Sequence, residues 1–386
     1  MKGQVIKIHA DTIHNGYQFI ENSVLLVDRS GKILLLDDYE KHDSSSILHL
    51  EGIVCPGFIN THCHLELSHM KGKVDTGTGL IPFIQKVVSQ RNHDITQIHD
   101  AIQLADTEMF ENGIVAVGDI SNTSDTVEVK NHSPISYFTF VEMFDFLSPS
   151  HTSKIIEQYE AVYNSFSSSV KNKISKVPHA PYSVSKGLFS YLNDANPDGS
   201  IISIHNQETK EENDMFVNGN KVFLDFFSNF GITDSTFSIT GKSAIHTILK
   251  NVKSTLTPLL VHNTNTSESD IIAANQYFDK VFWVTCPNAN LYIENSLPCY
   301  KYFINQNALM TIGTDSLTSN WKLSIWDEIC TLRKYASHIP LEKTIRWATL
   351  NGAMALGMDD TLGSFDINKT PGIVHIDHHN NVKRIF

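Results

Sequence analysis

The stretch IVCPGFINTHCH, residues 53–64, decides how the chain is read. It is mostly apolar, the pattern of a strand buried on both faces. It closes on His62-Cys63-His64. Side chains two apart on an extended segment point the same way, so these two imidazoles can face one cation. Seven further runs of this kind follow: GIVAVGDI (113–120), ISYFTFVEMF (135–144), KISKVPHA (173–180), SIISIHNQE (200–208), TPLLVHN (257–263), KVFWVTCP (280–287) and ALMTIGTDS (308–316). Helical patterns such as IPFIQKVVSQR, AIQLADTEMFENG and LSIWDEICTLRKYA lie between several of them. Strand–helix alternation repeated eight times predicts an α/β fold, a (β/α)8 TIM barrel over residues 53–361.

The ends of the chain read differently. VIKIHADTI, SVLLVDRS and GKILLLDDY are separated by turn signals at Asn15-Gly16 and Ser30-Gly31. That pattern predicts a small antiparallel β unit. The last segment, LGSFDINKTPGIVHIDHHNNVKRIF, has the same character. Residues 1–52 with 362–386 are therefore expected to form one β-sandwich subdomain.

In a parallel barrel the C-terminal strand ends meet on one face, and that face carries the active site. His62 and His64 close the first run, His179 the fourth, His205 and Glu208 the fifth, His262 the sixth and Asp315 the eighth. Imidazole and carboxylate ligands suit Zn2+ and also Fe2+. Histidines with one aspartate leave a position open for water, as a catalytic site requires. Such an ion lowers the pKa of its water toward about 7. Taken singly, His205 or His262 reads as a structural histidine, and Asp315 as a turn or helix cap. The combination carries the metal reading, because burying several ionisable groups without a shared function is costly.

Composition narrows the partners. The 386 residues are 41% hydrophobic and 19% charged, as in a soluble globular enzyme. The net charge of -12 opposes non-specific binding to nucleic acid or anionic lipid. No run approaches the roughly 20 apolar residues of a membrane span. Five scattered cysteines without a CxxC pair suggest neither a disulfide framework nor a thiolate metal site. A cytoplasmic setting is expected.

The ordered segments PGFINTHCHLELS (56–68), VPHAPYSVS (177–185), SIHNQET (203–209), LLVHN (259–263), TCPNANLYI (285–293) and IGTDSLTSN (312–320) resemble the motif series of the amidohydrolase superfamily. The likeness spans nearly the whole chain. It is greatest to the cytosine deaminase, chlorohydrolase and S-adenosylhomocysteine deaminase branch, and HLELS and TDSLTSN also resemble aminodeoxyfutalosine deaminases. The resemblance implies one divalent metal ion, zinc or alternatively iron, held by His62, His64, His205 and Asp315. It implies that His262 hydrogen-bonds the water and that His179 faces the substrate. Binuclear branches carry a bridging lysine at the end of the fourth strand; here Val177-Pro178-His179 stands there.

Glu208 is expected to move protons, since deaminating a ring needs one delivered to the ring nitrogen and one to the departing amine. It is alternatively a residue that orients His205. Asp315 is expected to take a proton from the water, leaving a hydroxide to attack. Glu66, just past the first strand, is a candidate for substrate recognition or a solvated loop carboxylate. The expected activity is a metal-dependent aminohydrolase acting on a small nitrogen heterocycle or adenosine-like nucleoside. The alternatives are a chlorohydrolase, a cyclic amide or imidate hydrolase, and a metal-binding protein without turnover. Relatives of this kind commonly dimerise, so a homodimer is carried as an expectation.

Overall fold

The computed structural model describes residues 5–167 and 171–386. The Ser-rich stretch 165–169, whose composition predicts a surface loop, lies partly outside them. Five strands come first: β1 (Ile6–His14), β2 (Phe19–Ile20), β3 (Ser23–Val27), β4 (Ile33–Asp38) and β5 (Leu48–Pro56). The eight central runs follow as β6 (Phe58–Cys63), β7 (Ile114–Ser121), β8 (Ser136–Met143), β9 (Lys173–Pro178), β10 (Ile201–Asn206), β11 (Thr257–His262), β12 (Phe282–Thr285) and β13 (Leu309–Ile312). The chain ends with β14 (Ile373–Ile376) and β15 (Val382–Arg384).

The central strands form two parallel sheets, β6-β7-β8-β9 and β10-β11-β12-β13. Every residue of β7 and β6 is buried, as their unbroken apolar runs require. Two seams join the sheets. At one, His205 N donates to His179 O at 2.9 Å; at the other, Thr314 N and Asp315 N both donate to His62 O at 3.0 Å. Gly313 permits the second seam. A Cβ there would lie 2.8 Å from the Cβ of His62, so only glycine lets these two segments lie so close.

The first run of the sequence divides. Ile53 to Pro56 belong to β5, and β6 starts after Gly57, where a Cβ would lie 2.3 Å from Val115 Cγ1. The expected helices form at Leu80–Gln90, Ile95–Glu111 and Ile325–Tyr335. After β10 the chain forms Lys210–Asn218, Val222–Ser228 and Ile245–Asn251. The first of these is capped by the Thr209 side chain and stopped at Gly219, whose φ is +82°.

The end strands form one seven-stranded sheet, ordered β15-β14-β5-β1-β3-β4 with β2 on β1. An antiparallel unit was expected, but β1 runs parallel to β5. A two-layer sandwich was expected, but β5 pairs with β1 on one edge and β14 on the other. That leaves the hydrogen bonding continuous through a single mixed sheet. His14 ties this sheet to the helix Leu341–Arg346. Its Nε2 lies 3.1 Å from Glu342 O, and its Nδ1 accepts from Gly16 N. Among the described residues, no helix is long and apolar enough to cross a membrane.

Candidate active site

His62, His64 and His205 bring one ring nitrogen each within 4.8 Å of one another. His62 is fully buried, and neither of its ring nitrogens has a hydrogen-bond partner. Leaving a buried imidazole unsatisfied is costly, so the position calls for a further partner such as a cation. Asp315 completes the cluster: its Oδ1 lies 3.7 Å from His62 Nε2 and 3.4 Å from His64 Nε2. Its Oδ2 accepts from Ser319 Oγ at 2.6 Å. Burial would raise the Asp315 carboxyl, but the facing His62, His64 and His262 hold it well below the usual range. Just past His64, Leu65 N donates to Asp119 Oδ1 at 2.8 Å, and Asp119 pairs with the buried Lys130 at 2.6 Å.

The strand ends are bent sharply to aim these groups. Four non-glycine residues there take left-handed backbone: Gln207 (φ +49°), His262 (+72°), Asn263 (+59°) and Asp315 (+58°). Such conformations cost energy and persist only where surroundings over-determine them. Here the determinants are visible. Glu212 accepts from Gln207 N at 3.0 Å and Glu208 N at 2.9 Å. Asn263 Nδ2 donates to Leu260 O at 2.7 Å and Val284 O at 3.1 Å.

Glu208 is buried, and burial lifts its carboxyl to about 8 against the pull of His205. Its Oε1 lies 3.7 Å from His262 Nε2. The other His262 nitrogen, Nδ1, lies 2.8 Å from Asn290 Oδ1. With that oxygen as acceptor, Nδ1 carries the hydrogen and Nε2 is left toward Glu208. Burial lowers His262 to about 4. Burial would also lower His205, but the neighbouring Glu142, with Glu208 and Asp315, lifts it to about 9.

A cavity of about 200 Å3 opens onto this cluster. His64, His179, His205, Glu208, His262 and Asp315 line one side. The other side is apolar: Phe144, Phe146, Phe223, Phe226, Phe227 and Phe230, with Leu80, Phe83, Ile84 and Val87 of one helix. No lysine is among the residues that line it. His179 sits with its ring centroid 4.8 Å from that of His205, and its Nδ1 lies 2.6 Å from Ser183 Oγ.

Glu66 stands apart from the other expected residues. It is 2% exposed and is not among the residues lining the cavity. Its Oε1 accepts from Arg91 at 2.9 Å; its Oε2 accepts from Asn122 N at 3.0 Å and from Thr123 N and Oγ1, both at 2.9 Å. Its partners Arg91 and Asn122 do line the cavity.

Sequence reasoning passed over several residues. Glu142 of β8 lies beside His205 and His179, and it was detectable as the lone charge inside ISYFTFVEMF. Glu212, one helical turn past Glu208, holds the backbone of the fifth strand's end. Asn290 lies 2.8 Å from His262, a contact with no local sequence signal. Glu328 accepts from Asn288 N at 2.8 Å and Asn320 Nδ2 at 2.7 Å, tying the helix Pro287–Glu294 after β12 to the loop after β13.

The arrangement of parallel strands is matched among known proteins. A model of the amidohydrolase family matches residues 53–386, and the chain belongs to that family. It is 28% identical over 326 residues to an adenosine deaminase of Helicobacter pylori, covering 82% of this chain and 77% of that relative. It is 26% identical over 376 residues to an aminodeoxyfutalosine deaminase of a Nitratiruptor species, covering 93% and 88%. Among solved structures, Helicobacter pylori aminofutalosine deaminase superposes with a TM-score of 0.80 at 22% identity, over 99% of this chain and 100% of that one. An adenosine deaminase from Xanthomonas campestris, solved with bound zinc, superposes with a TM-score of 0.73 at 21% identity, over 96% and 84%. The structural likenesses establish the fold as α/β with parallel sheets.

Proposed function

We propose that this protein is a metal-dependent aminohydrolase that removes an amino group from the heterocycle of an adenosine-like nucleoside. One observation carries the reading: three strand ends far apart in sequence deliver His62, His64, His205 and Asp315 to one point, with Glu208 and His262 beside it. The named deaminases among the relatives support it. So does membership of the amidohydrolase family.

His62, His64, His205 and Asp315 fit one divalent cation. The unpartnered nitrogens of His62 are the feature that asks for it. Zinc is the proposed ion, since imidazole and carboxylate donors suit it. When bound, it supplies the Lewis acidity that makes water nucleophilic at neutral pH.

The protein's own groups then have distinct tasks. Asp315 accepts a proton from the attacking water. His262, its Nδ1–H committed to Asn290, offers Nε2 to orient that water. Glu208, whose burial favours the protonated form, donates to the ring nitrogen next to the carbon bearing the amine. Glu208 then takes up the proton of the added hydroxyl and passes it to the departing nitrogen, and the proton held by Asp315 restores Glu208. The balance is one water consumed, one ammonia released and a carbonyl left on the ring. His179 faces the substrate, and the phenylalanine wall favours a nucleoside with an apolar group beyond the heterocycle. Glu66 contributes by holding Arg91 and the Asn122 backbone at the cavity edge.

The same reading extends to architecture. We propose that β6 to β13 close into one eight-stranded barrel, supported by the hydrogen bonds at both seams. The sheet built from both chain ends forms a separate subdomain, and the chain crosses from one unit to the other at Gly57. Five free cysteines, three of them buried, support a reducing, cytoplasmic setting.

The test is a panel of aminated purines, pyrimidines and nucleosides, with a chlorinated triazine and a cyclic amide alongside. Ammonia release from an adenosine-like nucleoside is the expected result. Chloride or a ring-opened product without ammonia would move the activity to another hydrolysis on the same site.

A further inference from the structure

We infer that Glu142 is a positioning residue for His205, fixing its imidazole as a metal ligand from the side away from the ion. The inference rests on the proposed metal site. Glu142 lies in β8, is 2% exposed, and has both carboxylate oxygens committed. Oε1 lies 3.2 Å from His205 Nδ1, and Oε2 accepts from Asn122 Nδ2 at 3.2 Å. The same Nδ1 lies 3.1 Å from the His179 carbonyl. The carbonyl receives the directed hydrogen bond, and the carboxylate places a negative charge against the same N–H. Nδ1 is thereby spent, and Nε2 is the nitrogen left to bind a cation.

A carboxylate behind a ligating histidine fixes its tautomer and orientation and raises its basicity. Glu142 is itself anchored from beyond the site. Asn122 Nδ2 also donates to the Glu142 carbonyl at 3.1 Å, and Asn122 N donates to Glu66 Oε2 at 3.0 Å. Glu66 in turn holds Arg91. A continuous chain of contacts thus runs from the cavity edge to the ring of His205. Glu208, weighed from the sequence as the residue orienting His205, has no such contact with Nδ1; Glu142 has.

The chemistry of substitution is specific. Both Glu142 oxygens face donors, so Glu142→Gln turns an NH2 against one of them and is expected to behave nearly like Glu142→Ala. The experiment is zinc affinity of the full-length protein by chelator competition, with melting temperature measured on the metal-free and zinc-loaded forms. Both variants are expected to bind zinc about 10–100-fold more weakly, while still binding one ion and keeping the metal-free melting temperature. Unchanged zinc affinity, or a loss confined to the metal-free melting temperature, would overturn the assignment while leaving the proposed function intact. Two ions in the wild type and one in the variants would also overturn it, by making Glu142 a ligand of a second cation with His179. A wild type that binds no zinc would overturn both this inference and the function it rests on.

Discussion

The two sides of the cavity are built by opposite means. The metal side hangs from strand ends, with a backbone bent into strained, over-determined conformations at His262 and Asp315. The phenylalanine side hangs mainly from two helices in long connections, Leu80–Gln90 and Val222–Ser228, with Phe144 and Phe146 just past β8. The first side has fully buried, hydrogen-bonded scaffolding. The second reaches solvent, with Phe230 44% exposed and Val88 42% exposed. Rigid elements hold catalytic groups to the tolerance that chemistry demands, whereas connecting segments can vary what is admitted. On the proposed function, reaction type is assigned to the strand ends and substrate choice to the apolar wall.

The largest expected effects fall on the strand ends. His62→Ala removes the fully buried imidazole and should abolish metal binding and turnover together, read by metal analysis and ammonia release. Glu208→Gln separates the two: it should keep the metal and lower kcat by about 10²–10⁴-fold. A Glu208→Gln enzyme releasing ammonia at the normal rate would end the proton-transfer assignment.

Effects on the opposite wall should be smaller and depend on the substrate. Phe226→Ala or Phe227→Ala removes a buried ring worth about 1.5–3 kcal/mol. For a nucleoside with an apolar substituent, kcat/KM should fall about 10–100-fold. For the unsubstituted nucleoside it should change little. Equal losses on both substrates would erase the distinction between the two sides.

Glu66→Gln probes the support between them. It removes the charge opposite Arg91, which is 28% exposed, so the cost should be about 1–2 kcal/mol of stability with kcat retained. A rise in KM at unchanged stability would instead make Glu66 a direct substrate contact.

The smallest effect lies away from the cavity, at His14. Burial lowers its pKa to about 4, from 6.5. Between those values the unfolded chain binds the extra proton, so stability is fully present above pH 6.5 and lost as pH falls toward 4. His14→Gln should flatten part of that decline in a melting series. An unchanged slope would remove His14 from the acid response.

The same contrast explains what could be read in the sequence. The eight strands and the residues closing them were legible because buried parallel strands write continuous apolar runs, and a histidine or aspartate at the end of one stands out. Glu142 was legible in principle, as a charge interrupting such a run. Asn290 and Glu212 were not, because their partners depend on how the helices after β12 and β10 pack at the strand ends. The division of residues 53–64 between two sheets was hidden because the apolar run continues across Gly57, from Ile53-Val54-Cys55-Pro56 into Phe58-Ile59; the packing of Gly57 against Val115 marks the break. Phe216, Phe223, Phe226, Phe227 and Phe230 recur at near-helical spacing, but nothing in that spacing distinguishes core from cavity wall. In the structure Phe216 stays out of the cavity lining, while Phe223, Phe226, Phe227 and Phe230 form part of it.

The most direct test counts metal and ammonia in one preparation. Metal content per chain would be measured on the purified protein, and the same sample would be offered an adenosine-like nucleoside. The expected result is one divalent ion per chain and one ammonia released per nucleoside consumed, both lost in His62→Ala. A fully metal-loaded protein that leaves every aminated heterocycle untouched, or a metal-free protein that deaminates at the same rate, would contradict it.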